Sequence, residues 1–218
     1  MRVANVKFCG LTRAADARMG ASLGASYLGV VFAGGPRRLD GRAARAVLDG
    51  AQGVGTAKRV GVFGEQSARE IAELAQEARL DVLQLHGASD ANLVRALRVR
   101  FGGEVWRVVR VSSDTLDTAL DGAADDVDAV LVDALVAGAL GGAGVAVDWE
   151  SLTAAVARVG RPQKLILAGG LRPDTVERAV GLVLPDVVDV SSGVESAVGI
   201  KDHAMMRAFA EAAARGGR

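Results

Sequence analysis

The stretch Lys164-Leu165-Ile166-Leu167-Ala168-Gly169-Gly170-Leu171-Arg172-Pro173 decides the fold. A short, unbroken aliphatic run ends in paired glycines, and a proline stands where a helix would begin. Aliphatic runs without polar alternation belong to parallel strands covered on both faces. Proline in a first helical turn loses no hydrogen bond, so a helix is expected over 173–183. A further apolar run, 187–191, completes a strand–helix–strand unit.

The same unit recurs outward from this point to both ends of the chain. Strands are expected at 3–9, 27–32, 58–63, 82–86, 105–111, 129–133, 164–168 and 187–191. Helices are expected near 13–23, 41–50, 67–79, 89–100, 114–123, 149–158, 173–183 and 203–215. Ser67, Ser89, Asp148 and Asp202 stand where N-caps belong. Met205, Met206 and Phe209 form the packing face of the last helix. Eight strand–helix units in 218 residues point to a compact α/β (β/α)8 TIM barrel, a fold that typically takes about 250 residues. An open doubly wound sheet of five or six strands would leave two units unplaced. A single domain, 1–218, is expected. The Gly/Ala-rich segment 137–146 is too short for a linker and reads as a functional loop.

Composition narrows the function. The chain holds 40 alanines and 28 glycines but only 4% aromatics, which suits close helix–sheet packing. Basic and acidic residues balance at 26 each, so neither a nucleic-acid nor a membrane footprint is expected. The first residues have no signal-peptide core, and no run is long enough for a bilayer span. A cytoplasmic protein is expected. The single cysteine, Cys9, excludes an intrachain disulfide and a multi-thiolate metal site. The two histidines, His86 and His203, lie far apart, and no metal constellation is expected.

In a barrel, the site lies at the strand C-termini. Those positions carry Cys9, Phe32, Phe63, Gln84 and His86, Arg110, Asp133, Gly169-Gly170 and Ser191-Ser192-Gly193. The glycine and serine loops after strands seven and eight suit a phosphate, which backbone N–H groups approach closely where side chains are absent. Gly141-Gly142-Ala143-Gly144 would add a third wall, although Val147 breaks any dinucleotide fingerprint. Cys9 is a base if its thiolate is favoured, or else a small buried hydrophobe. Asp133 is an acid if burial raises its pKa, or else an anchor for loop backbone. His86 shares a strand face with Gln84 and reads as a ring holding a loop. Arg37 or Arg38 is suited to grip a carboxylate, or both are a solvated loop pair. Lys201-Asp202 reads as the opening of the last helix.

Taken in order, these stretches resemble the phosphoribosylanthranilate isomerases of tryptophan biosynthesis. The resemblance rests on Lys7-Phe8-Cys9-Gly10-Leu11-Thr12, Gln84-Leu85-His86-Gly87, Val132-Asp133, the glycines 141–144 with Asp148-Trp149, Leu167-Ala168-Gly169-Gly170-Leu171, and Asp189-Val190-Ser191-Ser192-Gly193-Val194-Glu195 with Gly199 and Lys201-Asp202. It implies an Amadori rearrangement, with Asp133 as general acid on the furanose oxygen and Cys9 as general base at C2′. It implies a small phosphoribosyl substrate, held by Arg38 at the anthranilate carboxylate and by Gln84, His86 and Asp189. Gly142, Gly144, Gly169, Gly170, Ser191, Ser192 and Gly193 would hold the phosphate. Neither metal nor organic cofactor is implied, and a monomer or homodimer is expected. Pro36-Arg37-Arg38 departs from the usual Ser-Pro-Arg, Ala143 from a common hydroxyl residue, and Val147 from the usual Phe. A histidine-pathway isomerase would be expected to carry aspartates where Cys9 and the Arg110-Val111 region stand. A ribulose-phosphate epimerase would need metal ligands that are missing. A non-catalytic phosphate sensor would have no reason to keep both acid and base.

Overall fold

The computed structural model describes residues 3–87, 90–111, 116–134 and 149–217. Eight parallel strands run in chain order: β1 (Asn5–Phe8), β2 (Tyr27–Val31), β3 (Lys58–Phe63), β4 (Val82–Leu85), β5 (Glu104–Val111), β6 (Ala129–Ala134), β7 (Leu165–Ala168) and β8 (Val187–Val190). They form a closed barrel, each bonded to the next and β8 bonded back to β1. The helices are α1 (Ala14–Ser22), α2 (Gly41–Asp49), α3 (Ala68–Ala78), α4 (Ala91–Arg98), α5 (Leu116–Leu120), α6 (Trp149–Val159), α7 (Val176–Val183) and α8 (His203–Gly216). This is the (β/α)8 barrel that eight repeated units predict.

Strand alternation sorts side chains into two cores. Residues facing outward, such as Phe8, Leu28, Leu83 and Leu167, pack under the helices. Residues facing inward fill the barrel, among them Tyr27, Val60, Val82, Trp106, Leu131 and Ile166. Tyr27 and Trp106 meet edge to face with centroids 4.8 Å apart. Below them, Glu104 accepts hydrogen bonds from Lys58 Nζ at 2.6 Å, Lys164 Nζ at 2.7 Å and Trp106 Nε1 at 2.8 Å. Burial alone would raise the Glu104 pKa, but these donors bring it down to about 2. That cluster stands at the N-terminal end of the barrel, leaving the opposite mouth for ligand.

Three local readings need correction. The helix expected from Pro173 starts at Val176, after a turn in which Thr175 Oγ1 accepts from the Arg172 amide at 3.0 Å. Proline sits in the turn that aims the helix, not in the helix. The N-cap of α4 is Asp90, whose carboxylate accepts from Leu93 N, whereas Ser89 lies outside the described residues. Asp148 also lies outside them. Beyond β8, the chain makes a short 3-10 turn, Ser192–Val194, and then an antiparallel pair, β9 (Glu195–Ala197) and β10 (Ile200–Lys201). No strands were expected there; Gly199, at φ 77°, reverses the chain to make this hairpin. Ser67 and Asp202 cap α3 and α8 as expected, Ser67 within a capping box. Met206 and Phe209 are buried on α8, with Met205 partly buried beside them.

Candidate active site

Alternation that fills the barrel also builds its mouth. Continuing each inward series by one step reaches Cys9 after Lys7, His86 after Gln84, Arg110 after Val108, Asp133 after Leu131, and Ser191 after Asp189. These residues line an open cavity of about 830 Å³ at the C-terminal ends of the strands, apart from Lys7, which lies beneath. Gly169, Gly170, Ser192 and Gly193 line the same cavity from the loops after β7 and β8. Gly169 and Gly170 have φ of 95° and 63°, a backbone course open to glycine. Gly193 packs so closely that a Cβ would lie 1.9 Å from the Leu171 carbonyl oxygen. The two loops are therefore in direct backbone contact.

Lys7 is fully buried and donates to Asp189 Oδ2 at 2.7 Å. Asp189 Oδ1, Gln84 Oε1 and His86 Nδ1 are buried without a hydrogen-bond partner among the described residues. An unmet buried polar atom costs roughly 1–3 kcal/mol. Three of them on cavity-lining residues mark a surface prepared for a hydroxyl-bearing ligand.

Burial pushes the Cys9 thiol pKa up; Lys7 pulls it down, Asp189 adds to the rise, and Lys201 helps to lower it. Burial also raises the Asp133 carboxyl, with His86 and Arg110 pulling against it and Asp189 with it. The His86 pKa is lowered by burial and then by Arg110, against the pull of Asp133, which favours a neutral ring. The mouth thus holds a carboxyl biased toward its protonated form and a thiol flanked by cations.

The two arginines separate cleanly. A Cβ at Gly10, next to Cys9, would lie 2.7 Å from Arg37 Cδ and 2.8 Å from Ser191 Oγ. Arg37 therefore crosses the rim beside Cys9, where its Nε and Nη2 hold Glu195. Arg38 is exposed and lines a separate depression with Asp40, Gln66 and Glu70. The carboxylate grip expected of Arg38 does not reach the cavity. The chain leaves β2 with Gly34-Gly35-Pro36 and returns to bridge Val31 at Arg38, which stays exposed.

Lys201 is more than the opening of a helix. Its side chain is fully buried, and Nζ donates to Ser191 O at 3.0 Å and Glu195 Oε1 at 2.9 Å. It props the β8 loop from below. Lys7, Lys201 and Glu195 escaped the sequence reading of strand ends, which did reach Arg110; two-residue alternation from Cys9 would have found Lys7. Of the expected site residues, Cys9, Gln84, His86, Asp133, Gly169, Gly170, Asp189, Ser191, Ser192 and Gly193 come together, whereas Arg38 does not. Gly142, Gly144, Ala143 and Val147 lie outside the described residues. Among the described residues no group of three or more His, Cys, Asp or Glu is placed to hold a metal ion, and no helix is long and apolar enough to cross a membrane.

Known proteins resemble both the sequence and this arrangement. The profile of the N-(5′-phosphoribosyl)anthranilate (PRA) isomerase family matches residues 6–212. The N-(5′-phosphoribosyl)anthranilate isomerase of Acidithiobacillus ferrooxidans is 39% identical over 211 residues, covering 96% of this chain and 97% of that protein. The crystal structure of phosphoribosyl anthranilate isomerase from Thermotoga maritima superposes with a TM-score of 0.83 at 32% identity, covering 96% of this chain and 98% of that one. A phosphoribosyl anthranilate isomerase in complex with reduced 1-(o-carboxyphenylamino)-1-deoxyribulose 5-phosphate superposes at 0.81 with 30% identity, over 96% and 98% of the two chains. Sequence match and barrel agree that this chain belongs to the phosphoribosylanthranilate isomerase family, enzymes of tryptophan biosynthesis.

Proposed function

We propose that Asp133 and Cys9 are the general acid and general base with which this isomerase rearranges N-(5-phosphoribosyl)anthranilate. The observation that carries the assignment is their placement around the rim. Following the closed strand order, Asp133 on β6 and Cys9 after β1 flank the glycine and serine loops of β7 and β8. At about 4.8 Å per strand the two are roughly 14 Å apart along the circumference, and both side chains project inward to shorten that span. A phosphate held on the loops between them leaves the ribose facing both.

The proton path then balances. Asp133 gives its proton to the furanose ring oxygen as the ring opens, and the nitrogen lone pair forms the iminium at C1′. Cys9, as thiolate, removes the proton from C2′, which gives the enolamine. The enolamine becomes the ketone by gaining a proton at C1′ and losing one from the C2′ hydroxyl. Nothing is oxidised overall. Arg37, with Nε and Nη2 committed to Glu195, meets the anthranilate carboxylate through Nη1. Asp189 Oδ1, Gln84 Oε1 and His86 Nδ1 meet sugar hydroxyls.

The active form needs a protonated carboxyl and a deprotonated thiol, the reverse of their ordinary order. As pH rises, the thiolate fraction grows tenfold per unit until Asp133 begins to lose its proton. A plateau follows, and activity falls above the thiol pKa, where only the carboxyl fraction still changes. The two raised pKa values, each due first to burial, set this window.

Loss of substrate fluorescence with purified protein tests the assignment. Cys9→Ser and Asp133→Asn should each reduce turnover by about 10²–10⁴-fold while thermal melts and binding of inorganic phosphate stay near wild type. Normal turnover in either variant would overturn the acid–base pair.

A further inference from the structure

We propose that Lys7 is a positioning residue for the isomerisation, its ammonium locked to Asp189 and packed with the Cys9 sulfur into the space left by Gly29, so that the sulfur meets substrate as an anion. The proposal deepens the acid–base reading and rests on Cys9 being the base.

A fully buried ammonium is a costly group to place in a barrel, and it persists where a partner holds it. Lys7 has that partner in Asp189 at 2.7 Å. The pair is not closed, however, because Asp189 Oδ1 is left without a partner among the described residues. A bridge kept only for packing would satisfy both carboxylate oxygens. Here one oxygen is kept for the ligand while the ammonium stays beside the sulfur.

Gly29 supplies the geometry. It occupies an inward position of β2, where a Cβ would lie 3.1 Å from Cys9 Sγ and 3.3 Å from Lys7 Cε. The missing side chain is therefore the gap into which the sulfur and the lysine stem converge. Any larger residue would press on both at once.

Among the described residues, four charged groups face the thiol. Lys7 comes from its own strand, Asp189 from β8, Lys201 from β10 and Arg37 from the loop after β2. Lys201 and Arg37 share Glu195, which offsets their charge. Lys7 lowers the thiol pKa by more than Asp189 raises it, the two ranking next after burial. Removing Lys7, or Lys7 together with Asp189, must then move the thiol pKa upward.

Because Cys9 is the only cysteine, iodoacetamide alkylation followed against pH titrates this one thiol without turnover. In Lys7→Met the alkylation midpoint should rise by about one pH unit or more. The plateau of kcat/KM should fall by the matching factor, about tenfold per unit, with its alkaline limb moving up alongside the thiol. Lys7→Met removes one partner of a buried pair, so Lys7→Met/Asp189→Asn serves where the single variant fails to fold; there only the midpoint is read, and it should move up by less. Gly29→Ala removes no charge, yet should shift the midpoint the same way by forcing the sulfur and the ammonium apart. An unchanged midpoint in the folded variants, with only a lower Tm, would overturn the proposal and leave Lys7 a structural residue. A shifted midpoint with unchanged kcat/KM would overturn the base assignment beneath it.

Discussion

Arg37 and Arg38 are adjacent, alike in chemistry and opposite in placement. A guanidinium whose Nε and Nη2 already hold Glu195 is fixed in orientation, so its remaining donor meets a carboxylate at little further entropic cost. Arg37→Lys loses the planar fork and should raise KM by about tenfold or more, with kcat less affected. Arg38→Ala should leave both constants within about twofold. Steady-state kinetics of the two variants decide the matter, and the opposite ranking would return the grip to Arg38. This is also where the sequence was least legible. Pro36-Arg37-Arg38 offers two candidates in one motif position, and the direction in which each side chain leaves the loop is a tertiary fact. Cys9 and Asp133 were readable because a strand end fixes side-chain direction by parity. Lys7 obeys the same parity, but a lysine inside a barrel runs against the expectation that lysines are solvated.

Loops after β7 and β8 act as one element because Gly193 lies against the Leu171 carbonyl. Gly193→Ala must push the β8 loop off the β7 loop, since backbone cannot yield as a flexible side chain does. KM for the phosphorylated substrate and the inhibition constant of inorganic phosphate should both rise by about tenfold, while far-ultraviolet circular dichroism stays native. Unchanged phosphate inhibition would remove these loops from the phosphate site. Elements were mostly legible: β3 coincides with its expected span, β1 is shorter at both ends, and the other strands differ by one residue at one end. The late start of the helix after Pro173 and the β9–β10 hairpin, where no strands were expected, escaped for one reason. Both follow loops whose course is set by contacts with the barrel mouth, and periodicity carries no signal for those contacts.

Across the whole molecule the two ends of the barrel divide stability from chemistry. The N-terminal end is closed by Glu104 with Lys58, Lys164 and Trp106, far from the cavity. Glu104→Gln should cost about 2–3 kcal/mol, lowering Tm by about 4–12 °C, with kcat/KM unchanged. The folded pKa of Glu104 and that of Glu195 both lie at about 2, below an unfolded carboxylate. Their contribution is therefore fully present above the unfolded pKa, near 4.3, and is lost as pH falls through about 2. Thermal melts should show wild-type Tm falling across that window, with a shallower fall in Glu104→Gln. An equal slope would remove Glu104 from the acid response. At the other end, the central claim is that the lone thiol is the base. The most direct measurement places two curves on one axis: kcat/KM against pH, and the rate of Cys9 alkylation against pH. The alkaline break in kcat/KM should coincide with the alkylation midpoint, above the ordinary thiol value of about 8.5. A break that falls where the thiol does not titrate would contradict it.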